Sequence, residues 1–277
     1  MSKKPRIVAT IAITAVASIV FAGCSSTSTG GSAGGATSSA LQAIQQRGTL
    51  RVADCLSFAP FGFRDKNGNP AGYDIDIANA MASELGVKLQ VTDTSSANRI
   101  PNLQTNKVDV VICNFTRNGV RAKQVDFTAP YVVASEALLV KKSSNIQTVK
   151  DLTGKTIATV KGSTDIQVLQ QLGVKAKTQD YDTSQAAILA VKQGQADAMI
   201  EDSNFLAYQA KLDNTLRVTK GALIPLEYNA MAVKQGDQIW LNWLNLFLFD
   251  YNTSGANTAA YQKWFGVKQQ YPLNPQY

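Results

Sequence analysis

The sequence predicts an α/β protein of two similar lobes, each a mainly parallel sheet flanked by helices. Two observations carry that prediction. From Leu50 onward, short apolar runs alternate with helix-length amphipathic segments, which is the pattern of βαβ units. The pattern restarts after about residue 137, and "NLQTNKVDVVI" aligns without a gap with "AVKQGQADAMI", each placing an aspartate (Asp109, Asp197) at the head of an apolar strand. A duplication of this kind favours two lobes over one long sheet.

The elements follow in order. "LRVADC" reads as a strand. "DIDIANAMASELG" reads as a helix, because Ile75, Ile77, Ala78, Met81, Ala82 and Leu85 recur near the 3.6-residue period, with Gly86 as C-cap. "VKLQVTD" is a strand, "ANRIPNLQTNK" a short helix and "VDVVIC" a buried strand. In the second half "TIATV", "AKTQDY" and "ADAMI" are strands. They alternate with helices over "STDIQVLQQLG", "TSQAAILAVKQG" and "SNFLAYQAKL".

The first residues stand apart. "MSKKPR" is basic, residues 7–22 are apolar, and "AGC" brings small residues to a cysteine, the layout of an export signal over residues 1–23. Sixteen apolar residues are short for a membrane span of about 20. "FAGC" resembles a lipobox, which implies acylation at Cys24 and a lipid anchor; plain secretion is the alternative. Residues 24–40 are rich in Ser, Gly, Thr and Ala and carry no charge, so they read as a flexible tether reaching roughly 20–24 Å. About 235 residues remain for folding.

The whole chain has 27 basic and 20 acidic residues; without Lys3, Lys4 and Arg6 the excess falls to +4 and is scattered. That argues against nucleic acid as a partner. Histidine is absent, which removes the usual general base and the commonest zinc ligand. Cys55 and Cys113 alone would make an incomplete metal site, so no metal or cofactor is expected.

The segment "VICNFTRNGVRAKQVDFTAPY" places Thr116 and Arg121 just past a buried strand, with Asn118 as N-cap of a following helix. A cation in a first helical turn opposes the helix dipole. It makes sense if an anion fills the gap, because arginine binds carboxylate through two parallel hydrogen bonds. A solvated surface arginine is the alternative that chemistry alone leaves open.

"RAKQVDFTAPY", "GTLRVA", "PFGF", "GYDIDIANAMASELG", "DLTGKTIATVKGST", "DAMIED" and "YQKWFG" occur in this order. Together they resemble the extracellular solute-binding proteins of polar amino-acid ABC transporters (family 3), over about residues 47 to 267. The resemblance implies a two-lobe periplasmic-binding-protein fold of type II. Its lobes, 41–135 with 229–277 and 136–228, would be joined by crossovers near 134–137 and 227–230 and close on the ligand like a hinged clamp. It implies that Arg121 and Thr116 clasp the ligand α-carboxylate, with a backbone group at Asn114 touching the head group. Ser163 and Thr164 would close over the carboxylate from the second lobe, and Asp202 would pair with the α-ammonium.

The resemblance implies less about the side chain. Phe58 matches an aromatic that stacks on ligand, though core packing is its alternative. "NR" at 98–99 resembles members that bind acidic amino acids, which offers Arg99 to an anionic or amide side chain; a helix-surface salt bridge is the alternative. Cys55 and Cys113 match pocket positions and either form a disulfide or line the pocket as two thiols. Tyr181 and Asp165 are further candidates. The expectation is a monomeric, non-enzymatic protein that captures an L-amino acid, with an acidic or amide side chain favoured, and hands it to a permease. A prephenate or arogenate dehydratase on the same fold and an amino-acid sensor are the alternatives. Strand alternation should turn Glu201 away from the cleft.

Overall fold

The computed structural model describes residues 39–273. The export signal, Cys24 and most of the tether lie outside the described residues. No helix among the described residues is long and apolar enough to cross a membrane.

The first part of the chain runs α1 (Ala40–Arg47), β1 (Thr49–Asp54), β2 (Ser57–Phe58), β3 (Gly62–Arg64), β4 (Pro70–Ala71), α2 (Tyr73–Glu84), β5 (Lys88–Asp93), α3 (Arg99–Gln104), β6 (Val110–Thr116) and β7 (Val125–Ala134). The second runs β8 (Glu136–Lys141), β9 (Thr156–Val160), α4 (Asp165–Gln171), β10 (Lys177–Tyr181), α5 (Ser184–Gln193), β11 (Ala198–Asp202), α6 (Ser203–Leu212) and β12 (Leu216–Val218). The chain then returns through β13 (Glu227–Lys234), α7 (Gln238–Thr253) and α8 (Ala256–Phe265).

Two five-stranded sheets result, in the orders β5-β1-β6-β13-β7 and β10-β9-β11-β8-β12. In each, three strands pair in parallel and the next two pair antiparallel. Four strands therefore run one way and one opposes them, so each sheet is mainly parallel, and the two-lobe α/β architecture is the expected one. A small antiparallel sheet, β2-β3-β4, is appended to the first lobe. The chain passes between the sheets at Ser135 and again through residues 219–226.

The internal echo has a structural meaning. Asp109 Oδ2 accepts from the backbone N–H of Arg51 at 2.8 Å, while its own N–H donates to the Arg51 carbonyl at 2.9 Å. Asp197 does the same with Thr156, at 2.9 and 2.8 Å. Asp109 thus fastens β1 to β6, and Asp197 fastens β9 to β11, the strand that each aspartate precedes. In the first lobe Arg47 and Arg51 also pair with Asp109.

α2 turns Tyr73, Ile75, Ile77, Ala78, Met81 and Ala82 inward, as its periodicity requires, and stops at Leu85 with Gly86 at φ +65°. Trp240 from α7 is fully buried and donates Nε1–H to the Asp109 carbonyl. Two expectations are corrected. Ser39 and Ala40, assigned to the tether, belong to the folded body, since Ser39 caps α1 and is buried. The helix expected after Asn118 is a single 3-10 turn, Arg121–Lys123, before the chain enters β7. The next residues, "VDFTAPYVVA", are β-branched and aromatic and pair along β13, so the sheet captures them.

Candidate functional site

β6 runs past the expected end of its strand to Thr116 because Phe115 and Thr116 pair with Ala230 and Asn229 of β13. Asn114 takes φ +40° within it, a conformation that asparagine tolerates better than most residues. Its N–H donates to Asp74 Oδ2 at 3.2 Å and to the Tyr131 hydroxyl at 3.1 Å. Asn118 Oδ1 accepts from the Arg121 N–H at 2.9 Å, as a cap would, and this turns the Arg121 side chain back toward the strand.

Arg121 is buried. Its Nη1 donates to the Thr116 carbonyl at 2.8 Å, its Nη2 to the Gly162 carbonyl at 3.0 Å, and its guanidinium lies 4.8 Å from the Phe115 ring. Burial lowers its pKa to about 10, which leaves it a cation at neutral pH. Arg99 is buried beside it, 4.1 Å from the same ring. Every guanidinium nitrogen of Arg99 is engaged: Nε with Ser96 O at 3.0 Å, Nη1 with Cys113 O at 3.0 Å, and Nη2 with Gly162 O at 2.9 Å. Burial and the neighbouring Arg121 lower its pKa. The salt bridge considered for Arg99 is absent among the described residues; its partners are carbonyls.

Gly162 reaches these arginines from the second lobe. It has φ +82°, and a Cβ there would lie 2.6 Å from the backbone of Ala97, so only glycine permits this approach. Ser163 turns back to the Val160 carbonyl at 2.7 Å and accepts from the Asp165 N–H at 3.2 Å. Thr164 Oγ1 donates weakly to Glu136, at 3.4 Å.

Asp202 ends β11 and caps α6, accepting from the N–H groups of Asn204 and Phe205 at 2.8 and 3.0 Å. Asn229 Nδ2 donates to both Asn114 Oδ1 and Asp202 Oδ2, joining the two lobes' head-group candidates. Burial raises the Asp202 pKa against these hydrogen bonds.

One cavity of about 20 Å³ lies between these groups. Ten of the twelve residues considered as ligand contacts line it: Asn114, Thr116, Arg121, Ser163, Thr164 and Asp202, expected around the head group, with Cys55, Phe58, Arg99 and Cys113. Phe58 also stacks on Phe205 across the lobes, with centroids 4.0 Å apart and planes 7° apart, so it both packs and lines. Cys55 and Cys113 form a disulfide between neighbouring strands, with a Cα–Cα distance of 5.2 Å.

Tyr181 is not on the cavity wall. It ends β10, half-buried against the core. Asp165 does not line the cavity either; it is fully buried behind it, with Oδ2 accepting from the Val160 N–H at 2.8 Å.

Glu201 corrects a further expectation, for it lines the cavity together with Asp202. Strict alternation fails because Asp202 is the last residue of its strand and turns, at φ −46°, to cap α6. Glu201 accepts from Ser184 Oγ and from the Asp202 N–H, both at 3.1 Å.

Glu136 and Glu227 also line the cavity and were not singled out in the sequence. Their signal was available: each is a charged residue at the end of an apolar strand within an expected crossover. Glu136, Asp165 and Glu201 bring carboxylate oxygens within 4.8 Å of one another. Burial, reinforced by neighbouring carboxylates, raises the pKa of Glu136 and Glu201 strongly, and burial pushes Asp165 to about 7 against the hydrogen bonds it accepts from Val160 and Ser163.

A second cavity of about 430 Å³ is lined by both crossovers with α6 and α8. Lys211 is its only charged lining residue, so it offers no paired charges.

The chain is 36% identical over 223 residues to a glutamine-binding protein of Geobacillus stearothermophilus, covering 76% of this chain and 85% of the relative. Among solved structures it resembles the ancestral amino acid-binding protein AncCDT-1, a precursor of cyclohexadienyl dehydratase, at 38% identity and TM-score 0.78 over 82% of this chain and all of that one. It also resembles the cysteine-binding protein of Campylobacter jejuni, at 31% identity and TM-score 0.80 over 85% and 97% of the two chains. Residues 50–267 match the model of the bacterial extracellular solute-binding proteins, family 3, and the chain belongs to that family.

Proposed function

We propose that the protein captures an L-amino acid between its lobes and delivers it to the membrane subunits of an ABC transporter, without catalysis. One observation carries this reading: a buried cation, Arg121, and a buried carboxylate, Asp202, come from opposite lobes to the wall of one cavity. A zwitterion leaving water requires both its charges to be met in this way. Arg121 receives the α-carboxylate with Thr116, Ser163 and Thr164 around it, and Asp202 receives the α-ammonium beside Asn114.

A cavity of about 20 Å³ is smaller than any amino acid, so entry requires the lobes to part. Parting breaks the bonds from Arg99 and Arg121 to Gly162 and frees Arg121 Nη2 for the incoming carboxylate. Closure then buries the pair. The export signal and Cys24 would keep the protein outside the cell and close to the permease.

Thermal-shift screening of the chain from Ser39 onward against all L-amino acids tests the proposal. A ligand bound only by the folded state raises the melting temperature according to its excess over Kd. Stabilisation by one or a few amino acids is expected, and none at all overturns it.

A second reading, a dehydratase on the same fold, draws on Glu136 and Glu201, whose burial raises their pKa and so favours the protonated acid form that a proton donor needs. Turnover of prephenate or arogenate by the purified chain would establish it. Loss of that turnover in Glu201→Gln would assign the donor.

A further inference from the structure

We infer that the cleft selects an amino acid with a cationic side chain, an ammonium or a guanidinium, held by Glu136 and Glu201 with Glu227 beside them. This rests on the amino-acid reading above and replaces the acidic or amide ligand expected from Arg99.

Arg99 has little left to offer an anionic side chain. All three of its nitrogens donate to backbone carbonyls, and its face lies on Phe115. Two of those carbonyls, Ser96 and Cys113, belong to its own lobe and stay with it when the lobes part. Arg99 thus braces the end of β6 through Nε and Nη1, leaving only Nη2, which holds Gly162 when the lobes are together, and Arg121 is taken by the head group. No further cation lines the cavity to meet an anionic side chain.

The opposite charge is in surplus. Two arginines and four carboxylates line the cavity, and Asp202 alone is needed for the α-ammonium. Glu136, Glu201 and Glu227 remain, with Asp165 directly behind them. Among the described residues none of these four groups forms an ion pair with a lysine or arginine.

Glu136 makes the want of a cation specific. It is 3% exposed and lines the cavity, yet no amide, hydroxyl or cationic donor reaches its Oε2, and Oε1 has only the 3.4 Å contact from Thr164. Its one other partner is the Glu227 carboxyl, and that bond needs a proton on one of the two acids. Asp165 Oδ1 is likewise without a donor. Buried carboxylates with open acceptors and like-charged neighbours are costly unless a cation joins them. An ammonium brings three donors and a guanidinium five, which suits acceptors spread over 4.8 Å. The raised pKa values of Glu136, Glu201 and Asp165 fit a site whose counter-ion arrives with the ligand.

Isothermal titration of the chain from Ser39 onward with L-arginine, L-lysine, L-glutamine and L-glutamate at pH 7.5 tests this. The better of arginine and lysine is expected to bind at least tenfold more tightly than glutamine or glutamate. Its binding should release protons, read as a heat that changes with the ionisation enthalpy of the buffer. Glu136→Gln should weaken the cation at least tenfold while changing glutamine less than about threefold. If that variant does not fold, Glu227→Gln is expected to act in the same direction.

Tighter binding of glutamine or glutamate than of either cation overturns this inference and leaves the amino-acid reading intact. So does saturation by calcium or manganese alone that blocks every amino acid. Silence from these four and from the other amino acids overturns both.

Discussion

Arg121 of the first lobe donates Nη2–H to the carbonyl of Gly162 in the second lobe, 3.0 Å away. A guanidinium committed to one carbonyl of its own lobe and one of the other can exchange the second for a ligand carboxylate as the lobes move. We expect Arg121→Ala to weaken binding of the preferred amino acid at least about thirtyfold, the lower end of what losing one partner of a buried charge pair costs. Isothermal titration reads the change, and parental affinity would remove Arg121 from the head-group site.

Gly162→Ala isolates closure from chemistry. The added Cβ would meet Ala97 backbone atoms at 2.6 Å, and φ +82° disfavours any L side chain. The lobes should then be held apart. We expect at least tenfold weaker binding, and a larger ligand-saturated radius of gyration by X-ray scattering. A variant as compact and as tight as the parent would show that Gly162 is not a closure contact.

The Cys55–Cys113 disulfide closes a 58-residue loop, which corresponds to about 4 kcal/mol of stabilisation by the loop-entropy relation. Double replacement by serine should lower the urea midpoint accordingly. Because the bridge joins strand ends that line the cavity, affinity should fall as well. Unchanged stability would mean that the strands alone hold this register.

Stability should fall as pH rises through neutrality. Burial pushes Asp74 and Asp165 to about 7, whereas unfolded aspartates ionise near 4. Between those values the native state binds more protons than the unfolded one, so the free energy of unfolding declines with pH. The ligand-free chain should melt higher at pH 5 than at pH 8. Asp74→Asn should flatten the slope, and a slope of the opposite sign would contradict the assignment.

Much of the fold was legible because it is written in local patterns. The spacing of Ile75, Ile77, Ala78, Met81 and Ala82 fixes a helix face whatever surrounds it. The echo of Asp109 and Asp197 marks two equivalent strand starts, and each aspartate does fasten the neighbouring parallel strand, β1 or β9. Ten of the residues expected at the ligand do line one cavity, because strand ends and helix starts are where open α/β sheets present polar groups.

The misreadings arose where distant partners decide. Residues 118–124 carry a helix-capping signal, but only one 3-10 turn forms, since the following segment is captured by β13. Glu201 was assigned by alternation, which ends at the residue that caps α6.

The sequence by itself determined the two α/β lobes, their internal duplication and the residue types able to hold a zwitterion. Those follow from periodicity and side-chain chemistry, which act within one segment. Tertiary structure alone decided that Arg99 spends its donors on carbonyls, that Cys55 meets Cys113, and that Glu136, Asp165 and Glu201 crowd together. Each of these depends on groups far apart in the chain, and their charge balance exists only once both sheets and both crossovers are in place.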